Sequence, residues 1–180
     1  SKSGAKFDFE KAKWFNHEYL MATDDAVLAD LFKPVLAEHV DVAQFSDAYI
    51  AQAVGTVKNR INFVKDLWTN AAFYFQAPVE YAPKDVKKRW KEDTPKLMGE
   101  LITVLEGIAD FTDAAATEAT VMAWIKGNEY HMGNVMNAFR LTVVGECKGP
   151  HMFEITRLLG KEETIARIKR GVEAIHLPNE

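Results

Sequence analysis

The chain has 180 residues, of which 48% are apolar and 27% charged, with a formal net charge of −4. That length can bury a real core in one large domain or two small ones. The acidic balance excludes nucleic-acid binding through bulk charge, so any such binding must come from local patches. One cysteine, Cys147, excludes an internal disulfide and a cysteine-rich metal site, and it fits a reducing compartment.

Taken in order, the chain reads as helix after helix, and an all-α fold is expected. Residues 8–21, DFEKAKWFNHEYLM, form a first helix with Asp8 placed to cap it. Thr23 and Asp24 mark the next N-cap, and the run Ala26 to Glu38 follows with Leu28, Leu31, Phe32, Val35 and Leu36 on one side. Pro34 inside that run predicts a kink or a break into two short helices. Ser46 then opens the longest predicted helix, reaching to about Phe75. Its apolar stripe of Ile50, Val54, Val57, Ile61, Val64, Trp68, Ala71 and Phe75 is the strongest periodic signal in the chain. Arg60 lies roughly 80° from the centre of that stripe at 100° per residue, and Lys58 and Lys65 lie on the other flank.

Gln76 to Pro83 is the best candidate boundary, because Pro78 and Pro83 bracket a short loop. The basic segment KDVKKRWKED follows, with Lys84, Lys87, Lys88, Arg89 and Lys91 as the densest positive cluster; it reads as a solvated helix face. Thr94-Pro95 starts the next helix, with Leu97, Leu101, Val104, Leu105 and Ile108 as its core stripe. Thr112 or Asp113 caps another, ending at Gly127. Residues 131–145 form a further helix, although the β-branched run Leu141 to Val144 could be extended. After Gly160, Ile165, Ile168, Val172 and Ile175 give the last helix its apolar face, and Leu177-Pro178 ends it.

The segment Arg140 to Lys161, RLTVVGECKGPHMFEITRLLGK, organises the rest. Gly145 ends one helix, a polar loop runs to Gly149, and Pro150 suits the first position of a new helix. The N–H groups of His151, Met152 and Phe153 would then face outward from a helix N-terminus, which attracts anions and acceptors. With Arg140 and Lys148 as cations and Met152 and Phe153 as an apolar platform, such a corner could hold an unstacked RNA base. The same stretch also reads as an ordinary helix–loop–helix corner with Met152 and Phe153 in the core.

Catalytic motifs are absent: no Gly-rich phosphate loop, no nucleotide-binding fingerprint and no HExxH. His17, His39, His131, His151 and His176 lack metal-ligand spacing, so neither a metal site nor a catalytic residue is expected. Cys147 has no assigned role. No apolar run approaches the ~20 residues of a membrane span. The start, SKSGAKFDFE, has no apolar signal core, and a cytoplasmic location is expected.

Two segments carry a family resemblance. FDFEKAKWFNHEYL at Phe7–Leu20 resembles the "FDxxKLxWxNxxY" segment of bacterial glutamyl-tRNA synthetases. GNVMNAFRLTVVGECKGPHMFEITRLLGKEETIARI at Gly133–Ile168 resembles their closing pattern "LRxALTGxxxxPxxFEILxLLGKExxxxRL". VKNRINFVKDL at Val57–Leu67 is similar, more loosely, to their "ERxKTLxEL" helix. The three come in the family's order, so the resemblance covers nearly the whole chain. It departs at Phe139-Arg140 for Leu-Arg, at Thr142 to Gly145 for "ALTG", and at Asn59 and Asn62-Phe63 in the middle segment.

The resemblance implies a C-terminal, anticodon-binding part of this class I synthetase family, an all-helical cage of two subdomains. Residues 1–42 would be the end of the stem-contact region with connecting helices, 43–80 the first anticodon-binding subdomain and 81–180 the second. The implied partner is tRNA(Glu), bound by a monomer, with no DNA and no membrane. The implied anticodon-binding residues are Arg60, Arg140, Gly149, Pro150, Met152 and Phe153, with Lys58 and Lys148 as candidate backbone contacts. No cofactor is implied for these residues. ATP and Mg²⁺ would serve the full-length ligase, which attaches glutamate to its tRNA. The competing expectation, without the resemblance, is an all-helical protein-interaction module that binds no RNA.

Overall fold

The computed structural model describes residues 2–177, with side chains from residue 8 onward; Ser1 and residues 178–180 lie outside the described residues, and with them part of the expected helix end at Leu177-Pro178. The described residues are all helical or irregular, with no strand among them. The helices are α1 (Lys2–Ala22), α2 (Asp25–Ala37), α3 (Asp47–Val57), α4 (Asp66–Ala71), α5 (Pro83–Arg89), α6 (Thr94–Glu106), α7 (Ala114–Gly127), α8 (Met132–Val144), α9 (Met152–Leu159) and α10 (Lys161–Ala174). Short 3₁₀ turns cover Val42–Gln44, Lys58–Arg60 and Ala72–Tyr74. The chain folds as two compact units, residues 1–76 and 77–180.

In the first unit α2 packs on α3. Their facing stripes, Leu28, Phe32 and Leu36 against Ile50, Val54 and Val57, are fully buried. Burying each such side chain contributes about 1.5–3 kcal/mol before entropy is counted. Phe75 closes this core, edge-on to Phe45 at 5.0 Å and to Tyr49 at 5.8 Å. One expectation fails here, and a second fails in its break into two helices. Asp8 is not a cap, because α1 already runs from Lys2 and Asp8 sits inside it. Pro34 does not divide α2, which is continuous to Ala37. Pro34 is exposed and close to the helix end, so water can take the carbonyl that its missing N–H leaves unpaired.

The predicted long helix from Ser46 to Phe75 is also broken. Ser46 does cap α3, its Oγ accepting from the Tyr49 N–H at 3.0 Å. At Ile61, however, the backbone turns extended (φ −116°, ψ 155°). Side chains of α1 take the carbonyls there: the Asn16 amide donates to the Asn62 carbonyl, and His17 Nδ1 lies 2.6 Å from the Ile61 carbonyl. Asp66 Oδ2 accepts from the N–H of Phe63 at 3.0 Å and starts α4 afresh. Polar side chains thus outcompete the helical ladder. Ile50, Val54, Val57, Ile61, Ala71 and Phe75 of the stripe are nevertheless buried.

The second unit is built on α6, α8 and α10, with α7 and α9 packed beside them and α5 on α8. Met98, Leu101, Val121, Phe139, Phe153 and Ile168 form its centre. The run Leu141 to Val144 is helical, as the end of α8. Gly171 lets α10 approach α8: a Cβ there would lie 2.7 Å from Thr142 Cγ2. Arg167 is 3% exposed, yet it is satisfied, with Nη1 donating to the Val143 carbonyl at 3.0 Å and Nε to Glu163 Oε1 at 2.9 Å.

Candidate nucleic-acid interface

The corner between α8 and α9 is set by glycine chemistry. Gly145 ends α8 in the left-handed region (φ 93°), and its N–H bonds the Leu141 carbonyl at 2.9 Å. This is the αL termination that glycine makes without a Cβ penalty. A Cβ here would sit 2.9 Å from Pro78 Cβ and 3.0 Å from the Glu80 carbonyl, so the 78–80 loop is pressed directly on it. The Gly145 carbonyl in turn accepts from the Ala82 N–H at 2.8 Å.

Arg140 lies on α8, half-buried, with Nη1 donating to the Pro150 carbonyl at 2.8 Å. Gly149 has φ 136°, and a Cβ on it would come within 3.2 Å of the same Nη1. Arg140, Gly149 and Pro150 are therefore brought together. The guanidinium anchors the loop that leads into α9. Pro150 itself is buried and precedes the helix; His151 occupies the N-cap position and Met152 opens α9. Pro150 as the first helical residue is thus corrected, since the chain is still extended at His151 (ψ 128°).

The apolar platform is corrected too. Met152 is 3% and Phe153 1% exposed, and Phe153 stands edge-on to Phe139 at 6.1 Å in the core. As the first residues of α9 their N–H groups have no helical acceptor, but each residue is buried as a whole, backbone included. Lys148 is exposed at the loop tip, 3.7 Å from Glu146 Oε2. His151 is exposed, with Nε2 3.5 Å from Glu118 Oε2.

The residue that sequence reasoning missed is Asp85. Its Oδ2 accepts from the Cys147 N–H at 2.9 Å and ties α5 to the loop. The partners stand 62 residues apart, and no local pattern links them. Cys147 is half-buried, with Sγ 3.5 Å from the Asn137 carbonyl. Burial first, and then the Asp85 carboxylate, push its thiol up to about 11, so it is protonated and unreactive near neutrality.

In the first unit, Arg60 is exposed at the end of the 3₁₀ turn Lys58–Arg60. Lys58 is a strut: Nζ lies 2.8 Å from Asp25 Oδ1 and donates to the Thr23 carbonyl at 3.2 Å. That pairing leaves Lys58 poorly placed as a backbone contact. Among the described residues, no group of three His, Cys, Asp or Glu side chains could hold a metal ion, and no helix is long and apolar enough to cross a membrane.

A family model described as an anticodon binding domain matches residues 27–172. A glutamate–tRNA ligase of Phocaeicola vulgatus is 54% identical over 175 residues, which is 97% of this chain and 34% of the relative. The corresponding ligase of Bacteroides fragilis is 55% identical over the same shares of the two chains. A crystal structure of a glutamate tRNA ligase from Elizabethkingia meningosepticum superposes with a TM-score of 0.84 at 36% identity, covering 93% of this chain and 32% of that one. A second, from Elizabethkingia anophelis, gives 0.78 at 36% identity, covering 92% and 32%. The chain spans about a third of the length of the curated relatives it matches.

Proposed function

Since this chain belongs to the anticodon-binding domain family, we propose that it reads the anticodon of tRNA(Glu) on behalf of a glutamate–tRNA ligase. The observation that carries the reading is the Arg140–Pro150 bond, which fixes a glycine-rich loop against the start of α9. A loop held in that way presents backbone donors in a preformed arrangement, so little ordering entropy is lost when a base docks. Arg140 stands at the rim of the corner and Lys148 at its tip, giving local positive charge in a chain that is acidic overall. Arg60, exposed on its 3₁₀ turn, serves a different base from the first unit. Gly149 and Pro150 supply the close backbone approach, and Met152 and Phe153 hold the start of α9 beneath it from the core.

The proposal extends to the parent protein. Within it, residues 43–80 and 81–180 act as the two anticodon-binding subdomains, and residues 1–42 join them to the stem-contact region. Glutamate activation with ATP and Mg²⁺ belongs to a part outside these residues, and the ligase acts as a cytoplasmic monomer.

Footprinting tests this. Bound chain should protect the anticodon loop of tRNA(Glu) from nuclease cleavage, and Arg140→Ala should need about 10–100 times more chain for the same protection. Protection confined to the acceptor end, or none at saturating chain, would overturn the reading.

A further inference from the structure

The basic segment after Pro83 gives the site above only Asp85; its lysines have no part in it. Pro83 to Arg89 is helical, as α5, and Lys84, Lys87 and Lys88 fall within an arc of about 100° at 100° per residue. All three are exposed. None of them makes a hydrogen bond or an ion pair among the described residues. The opposite side of α5 is fixed: Asp85 takes the Cys147 N–H, Ala82 donates to the Gly145 carbonyl, and the capping residue Trp90 is 2% exposed. A groove of about 500 Å³ separates the start of α5 from the loop, with Lys84 on one wall and Lys148 on the other.

A solvated face needs no such rigidity and no alignment with a neighbouring site. Here three lysines, without carboxylate partners in a chain of net charge −4, are mounted on a helix stapled to the anticodon corner. Resting on the reading of that corner as a tRNA site, we infer that Lys84, Lys87 and Lys88, with Lys148 across the groove, bind the sugar–phosphate backbone of the same tRNA beside its anticodon. The surface matches a phosphate ribbon: point charges on flexible stems. It gives affinity and register without base identity.

The test uses the 180-residue chain, tRNA(Glu) and a tRNA(Glu) transcript with a changed anticodon, with binding measured across a salt series. The K84Q/K87Q/K88Q variant should melt like the parent chain, because the three side chains are exposed. Its log–log salt slope should fall by about three, one per lost phosphate contact, with the same fold-loss on both RNAs. Arg140→Ala should instead shrink the difference between the two RNAs. An unchanged slope in the triple variant, while Arg140→Ala still alters discrimination, overturns the lysine surface alone. Parent chain that binds neither RNA overturns the corner and the surface together. A triple variant that loses binding to polyglutamate but keeps its tRNA affinity assigns the face to an acidic protein, and this too overturns the inference.

Discussion

The guanidinium of Arg140 reaches across ten residues of chain to the carbonyl of Pro150, donating from Nη1 at 2.8 Å. One side chain thereby sets the loop conformation and lines the surface that the loop presents. Arg140→Ala should lower stability by about 1–2 kcal/mol, the worth of a charged donor on a part-buried carbonyl. It should also weaken tRNA(Glu) binding by about 1–3 kcal/mol. Arg140→Lys keeps the charge without the planar fork, and should recover stability more than binding. Thermal melts beside filter binding separate the two effects.

Gly145 is the second fixed point. With φ at 93° and Pro78 Cβ 2.9 Å from where a methyl group would stand, Gly145→Ala meets backbone strain and a steric clash together. A loss of about 2–3 kcal/mol is expected, or roughly 2–4 °C in Tm per kcal/mol for a chain of this size. The displaced 78–82 loop would carry α5 with it, so tRNA binding should become steeper in salt only if the lysine face moves nearer the RNA, and shallower if it moves away.

Cys147 gives a pH prediction. Its thiol ordinarily ionises near 9.0, and burial with the nearby Asp85 carboxylate raises it to about 11 in the folded chain. Below pH 9 both folded and unfolded forms hold the proton, so the raised value adds its full stabilisation there. Between pH 9 and 11 the unfolded chain releases the proton while the folded chain keeps it, so stability falls across that window. Urea melts at pH 8, 10 and 11 check the slope, and alkylation of native Cys147 at pH 8 should be far slower than in urea. Asp85→Asn should lower the thiol pKa and speed alkylation.

Arg167 is the side chain on which α10 is anchored. Removing it strands the Val143 carbonyl in the core and unpairs the half-exposed Glu163. Arg167→Met is expected to cost about 2–4 kcal/mol in a denaturant melt.

Much of the architecture was legible because it rests on local rules. Ser46 and Asp113 cap helices, Gly145 and Gly160 end them, and the apolar spacing of α6 marks its buried face. What escaped was set by distant partners. The stripe through Ile61 is helical in period and is buried, but Asn16 and His17 claim the carbonyls at the break from more than forty residues away. At the corner, Arg140 and Pro150 stand together in one segment of the sequence, and Gly149 joins them as a site residue through the family resemblance. The inward turn of Met152 and Phe153 could not, since a buried apolar pair and a stacking platform share one sequence signature. Asp85 lay hidden in a basic segment whose charge drew the eye to its lysines.

The most direct measurement compares the affinity of the 180-residue chain for tRNA(Glu) with its affinity for the same transcript carrying a changed anticodon, at one salt concentration. Each altered base should weaken binding by about 1–3 kcal/mol, and Arg140→Ala should abolish most of that difference. Equal affinity for the two transcripts, with or without Arg140, would contradict anticodon reading by this corner.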